Sequence, residues 1–226
     1  MPRLLLLLCG AFAPAMASAE RVMVGYFATF GDLPVEQIPW SRLTHVCHGF
    51  LRLDPQGEVV TTDAMPNGGL TADGRKNDTP VLVSIGWGKT ASGLEKVTAS
   101  KESTTALLRK VLKVVDEGRY DGIDLAWEYP RDEATRAGHA RLVSELRRGL
   151  TALAKRTNRD TPYLLTATLT ASPFFGQWVD VEAIVPKVDW LNIKAYDMAG
   201  PWSRHAAHHA PLFASSDDPE KATRSV

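Results

Sequence analysis

Cysteine is nearly absent from this sequence: Cys9 and Cys47 are the only two in 226 residues. Cys9 lies in an apolar N-terminal run that reads as a cleaved leader. That leaves Cys47 alone, which excludes an internal disulfide, so the mature chain must be held by its core. Net charge is missing too. Lysine plus arginine equals aspartate plus glutamate at 26 each, which argues against a nucleic-acid partner and removes any electrostatic hold on a membrane surface. The longest apolar run is too short to cross a hydrocarbon layer of about 30 Å. Internal repeats and low-complexity segments are also absent, which excludes solenoids and solvated tails. What remains, 44% hydrophobic and 23% charged, is ordinary globular material with enough apolar residues for one substantial core.

The first residues, Met1-Pro2-Arg3, precede the run Leu4 to Cys9, which continues through Ala11 and Phe12 to Ala17-Ser18-Ala19. A positive start, a short apolar segment and an A-x-A site describe a secretory signal peptide cut after Ala19. The expected organisation is therefore a signal peptide over 1–19 and one domain over 20–226, secreted or periplasmic, with no membrane contact once the signal is removed.

Chemistry concentrates in Tyr120-Asp121-Gly122-Ile123-Asp124-Leu125-Ala126-Trp127-Glu128-Tyr129-Pro130. In a strand, side chains alternate faces, so Asp124, Ala126 and Glu128 share one face while Ile123, Leu125 and Trp127 share the other. Helical patterns flank the stretch. Leu107, Leu108, Val111, Val114 and Val115 repeat at helical spacing before it, ending at Gly118, and Leu142, Leu146, Leu150 and Leu153 repeat after it. This βαβ rhythm predicts a parallel sheet covered by helices. A carboxylate inside such a sheet is either an ion-paired structural acid or a group whose protonation is tuned for catalysis. Two at this spacing, beside an aromatic pair, favour catalysis.

The stretch resembles the DxxDxDxE strand of the glycoside hydrolase family 18 chitinases. Asp121, Asp124 and Glu128 match, as do Gly122, Trp127, Tyr129 and Pro130, but Ala126 stands where the family carries its third aspartate. A second resemblance lies in Asn192-Ile193-Lys194-Ala195-Tyr196-Asp197, similar to the family's MxYDxxG segment, with Lys194 replacing the methionine and Tyr196, Asp197 and Gly200 in register. Val22 to Phe27 resembles the opening strand, with Tyr26 as its aromatic, and Leu43 to Phe50 the second, with Phe50. Val81 to Trp87 resembles the SxGG strand, where either the second glycine has become Trp87 or one glycine is deleted.

These segments and Tyr163–Thr170 make six strands. The resemblance implies an α/β protein of the TIM (β/α)₈ barrel type, in which about six of the eight strand-helix units are present, so the domain is expected to be an incomplete barrel with two open strand edges. It further implies a secreted glycosidase with no metal or organic cofactor. The implied partner is chitin or another N-acetylglucosamine-containing glycan. Glu128 would be the general acid, with Asp124 and Tyr196 in the catalytic group and Tyr26, Phe50, Trp87, Tyr129, Asp197 and Trp202 against the sugar. In this family the substrate's own acetamido group attacks the anomeric carbon, giving retention. Ala126 can neither orient that group nor balance the cation it forms, so turnover is expected to be weak. A chitin-binding lectin and an inactive shortened homologue are the alternatives, and the oligomeric state is unreadable. Asp121, of opposite parity, reads as a structural acid. His45 and His48 read as core or hydrogen-bonded histidines, and His205, His208 and His209 as a polar loop rather than a metal cluster.

Overall fold

A computed structural model describes residues 21–31, 33–88 and 90–219, so the expected signal peptide lies outside the described residues. In chain order the elements are β1 (Val24–Ala28), β2 (His45–Leu53), β3 (Val59–Val60), α1 (Gly68–Lys76), β4 (Val81–Gly86), α2 (Thr90–Thr98), α3 (Lys101–Glu117), β5 (Gly122–Ala126), α4 (Glu133–Arg156), β6 (Leu164–Thr170), α5 (Pro173–Gly176), α6 (Val181–Ile184) and β7 (Trp190–Lys194).

Six strands form a parallel sheet in the order β1-β2-β4-β5-β6-β7, with β3 paired antiparallel to β2 at one side. Every residue of β4 and β5 is buried, as expected of strands covered on both faces. Outside them pack α3 and α4, whose Leu107, Val111, Val114 and Val115, and Leu142, Leu146, Leu150 and Leu153, join one core with Val83, Ile123, Leu125 and Leu165. The helix ends follow local chemistry. The Ser100 hydroxyl accepts from the Ser103 amide to start α3. Asp132 and Thr135 form a reciprocal capping box at the start of α4.

The sheet is curled into a partial barrel. β1 and β7 do not pair, yet the Asn192 side chain of β7 donates to the Tyr26 hydroxyl of β1 at 3.2 Å, across 166 residues of sequence. Below that contact the Trp190 ring meets the His45 ring at 4.6 Å between centroids. The inner face is therefore filled by side chains, as barrel interiors are.

Several local features were weakly legible at best. The breaker-rich Asn67 to Asp73 segment carries α1, because Asn67 caps it by accepting from Leu70 N at 2.9 Å. α2 has no clear apolar repeat in the sequence. Pro34 to Leu43 makes two 3₁₀ turns. Pro173 opens the short helix α5 from its first position. Gly86 is required where β4 crosses β5: its φ is +135°, and a Cβ there would lie 2.0 Å from the Ala126 carbonyl oxygen. No helix among the described residues is long and apolar enough to cross a membrane.

Two histidines lie deep in the fold. His48 Nδ1 and the Tyr120 hydroxyl are 2.7 Å apart, and that hydroxyl also accepts from Asn67 N. His139 packs against the edge of Trp127. Burial pushes each imidazole down to about 4. Below an unfolded value of about 6.5 the unfolded chain binds protons that the folded chain refuses, so stability is complete above pH 6.5 and falls towards pH 4. The expected loss is on the order of 3 kcal/mol per histidine across that window, read as a falling urea midpoint between pH 7 and pH 4.5. A midpoint that stays level would contradict it.

Candidate active site

The inner face converges on Asp124. It has no solvent exposure, and its carboxylate accepts from Ser84 Oγ at 2.7 Å, Thr166 Oγ1 at 2.7 Å, the Tyr26 hydroxyl at 3.0 Å and Asn192 Nδ2 at 3.2 Å, with Thr168 Oγ1 at 3.5 Å. β1, β4, β5, β6 and β7 each contribute. The register explains the convergence, because Ser84 and Thr166 are the cross-strand partners of Asp124 on either side. A buried anion is tolerable when this many donors solvate it. Burial, and then the Asp124 charge, push the Tyr26 phenol above its ordinary range, so Tyr26 remains a donor at any working pH.

Beyond the end of β5 the chain continues through Trp127, which turns outward against His139, to Glu128 on the inner side. Glu128 Oε1 pairs with Lys194 Nζ, and the two side chains are only 19% and 18% exposed. Burial pulls the Lys194 ammonium below its ordinary range, while Asp197 and Asp124 oppose that pull. The Lys194 ammonium lies 5.7 Å from the centre of the Tyr196 ring. Tyr196 stacks on His209, with ring centroids 6.2 Å apart, and His209 Nε2 is 3.5 Å from Asp197. Burial raises the Tyr129 phenol first, with a hydrogen bond from Thr170 opposing it and the nearby Tyr196 and Asp197 adding to it. Burial and Asp197 raise the Tyr196 phenol. Glu128, Tyr129, Lys194, Tyr196 and Asp197 thus occupy one rim of the cleft.

A second rim is aromatic. Tyr26 stacks on Phe50 at 6.1 Å, Phe50 on Trp87 at 5.5 Å, and Trp87 on Phe30 at 4.8 Å. Trp87 is 40% exposed, so its ring reaches solvent rather than filling the core. Its φ of +65° lies in the left-handed region, which costs an L-residue about 1–2 kcal/mol and which a glycine adopts freely. Beside Tyr129, the rings of Phe175 and Phe174 extend the first rim. Trp202 is not drawn into either rim. It is largely exposed, and its ring lies over Gly200.

Asp121 is held away from this cleft, accepting from Val81 N at 2.9 Å and pairing with Arg159 at 2.8 Å. Cys47 is fully buried, and burial pushes its thiol up. Among the described residues no group of three or more His, Cys, Asp or Glu is set to hold a metal ion. Sequence reasoning missed Ser84, Thr166, Thr168, Asn192, Lys194 and Phe30 as parts of the site. Strand parity carried a usable signal for Asn192 and Lys194, which share the parity of Tyr196.

A curled parallel sheet with a saturated aspartate at its centre and a glutamate at its open end matches one family over residues 22–226, described as glycosyl hydrolases family 18. The chain belongs to that family. Among relatives, a class V chitinase of Arabidopsis thaliana is 27% identical over 205 residues, covering 87% of this chain and 54% of that protein. A crystal structure of class V chitinase from Nicotiana tobaccum superposes with a TM-score of 0.78 at 27% identity, over 87% of this chain and 59% of that one. A chitinase-like agglutinin from Robinia pseudoacacia shares the fold, with a TM-score of 0.77 at 23% identity over 84% of this chain and 60% of that one. This family 18 chain spans about half the length of the curated relatives it matches.

Proposed function

We propose that this family 18 chain is an exported chitinase-like hydrolase that cleaves β-1,4 linkages between N-acetylglucosamine units with retention, and does so slowly. The observation that carries the reading is the placement of Glu128: an acid at the open end of the curled sheet, on the same inner face as Asp124 and within the tyrosine-rich rim, with a second rim of stacked aromatic rings. Stacked, partly exposed rings suit the apolar faces of pyranoses, and hydroxyl-rich sugars suit the phenols of the other rim.

In this reading the Glu128 carboxyl gives its proton to the glycosidic oxygen as the bond from that oxygen to the anomeric carbon breaks. The substrate's acetamido oxygen forms the new bond to that carbon, giving an oxazolinium ion. Water then attacks the anomeric carbon, the acetamido oxygen leaves, and the water proton returns to Glu128, restoring the carboxyl. Tyr196 and Asp197 hold the acetamido group, and the phenol of Tyr129 borders the reacting ring. Asp124 acts from below as a fixed negative charge. Ala126, only 2% exposed, places a methyl group between the two acids, so no charge there opposes the developing cation.

A second reading, glycan binding without turnover, is favoured by one contact. Lys194 holds Glu128 in an ion pair, which opposes the protonated form that the reaction needs. Release of fluorophore from a chitobioside decides between them, measured on the parent and on Ala126→Asp beside a chitin-binding assay. Slow release that rises in Ala126→Asp by about 10²-fold, the scale of one preorganised charge stabiliser, supports the hydrolase. Binding with no release from either protein replaces it with the lectin.

A further inference from the structure

Lys194 ends β7, and its side chain shares an inner face with Asn192, the residue that bonds Asp124 and Tyr26. From there it rises along the inside of the curl to meet Glu128. The Glu128 oxygen it meets has no solvent contact of its own, so water does not screen the pair on that side. The other titratable groups around it are Asp124 on β5, Tyr26 on β1 beneath, Tyr129 next to Glu128, and Tyr196 and Asp197 after β7, with His209 against Asp197. Asp124 is already solvated by hydroxyl and amide donors. Lys194 is therefore the cation in direct contact with Glu128.

We propose that Lys194 is a positioning residue that holds Glu128 as a carboxylate, so that the cleft binds glycan at neutral pH and cleaves it only at acidic pH, where Glu128 takes up a proton and the pair is broken. The proposal rests on Glu128 being the general acid. Two effects compete at this carboxyl. Partial burial favours its neutral form, whereas an opposite charge in contact favours the ionised form. The contact prevails because the ammonium touches the carboxylate, while burial is incomplete on its exposed side. A general acid works below its titration midpoint and fails above it. A midpoint lowered by Lys194 thus places the descending limb of activity below neutrality, and removing the ammonium moves that limb upward.

The test follows the Glu128 carboxyl by ¹³C NMR, assigned by loss of its signal in Glu128→Gln, together with the pH–rate profile on a chitobioside. Parent, Lys194→Met and Lys194→Arg are compared. Methionine keeps an unbranched side chain of similar length, and Lys194→Gln serves if that variant fails to fold. In Lys194→Met the midpoint is expected to rise by about one to three pH units, with the descending limb moving in step and the rate at pH 7 rising about tenfold or more. Lys194→Arg keeps the charge and is expected to keep the low midpoint. An unmoved midpoint in Lys194→Met overturns the proposal, even if activity rises. A raised midpoint with no turnover in any variant leaves the lock standing and removes the hydrolase reading instead.

Discussion

Glu128→Gln is expected to lower chitobioside hydrolysis by about 10²–10⁴-fold while leaving the fold and glycan binding close to those of the parent. The amide has the shape of the carboxyl but no proton to give to a glycosidic oxygen. Stability should change little, because Lys194 is not sealed in: its side chain keeps some solvent contact, and Asp124 and Asp197 both favour its charge. The loss should be largest at acidic pH. If Lys194 holds Glu128 ionised at neutrality, the parent is already slow there and has less to lose. Parallel pH–rate profiles of parent and Glu128→Gln measure this. A variant that retains the parental rate at every pH would remove Glu128 from the chemistry.

Asp124→Ala has the larger expected effect on stability. The carboxylate is the common acceptor for donors from Tyr26, Ser84, Thr166 and Asn192, and Ala leaves them facing one another in a closed space. Leaving a buried donor unsatisfied costs about 1–3 kcal/mol. Some of these hydroxyls can turn to bond each other, which brings the total to about 4 kcal/mol. In a domain of this size that corresponds to a melting temperature lower by roughly 10 °C. Asp124→Asn should not rescue it, since half of the amide presents hydrogens to groups that are themselves donors. A melting temperature within a degree or two of the parent would show that the hydroxyl network, rather than the charge, holds the inner face. Activity is expected to fall as well, because Tyr26 and Asn192 span the open side of the curl through the same carboxylate.

The sequence alone exposed these two residues equally. Both were legible as inward acids from strand parity, a local property that needs no partner. The same periodicity placed β1, β2, β4, β5, β6 and β7 and the helices α3 and α4. It could not place α2, whose apolar residues are few, and allowed at most a weak helix at α1, where a cap from Asn67 outweighs the glycines.

The rim of the cleft was read unevenly for the same reason. Tyr26, Phe50 and Trp87 were each chosen singly, and the structure stacks them in one row with Phe30, which carried no signal of its own. Trp202 was chosen by its place after Gly200, and it folds back over that glycine.

By itself, then, the sequence determined the element types, the parallel sheet, the family and the two inward acids, because alternation, helical spacing and short motifs are all written within a few residues. Only the tertiary structure decided what those acids touch. The curl of the sheet brings Asn192 across to Tyr26, and it brings Lys194 against Glu128. No local pattern encodes those meetings, because they depend on the summed twist of six strands. That twist turns a carboxylate with no visible partner into half of an ion pair.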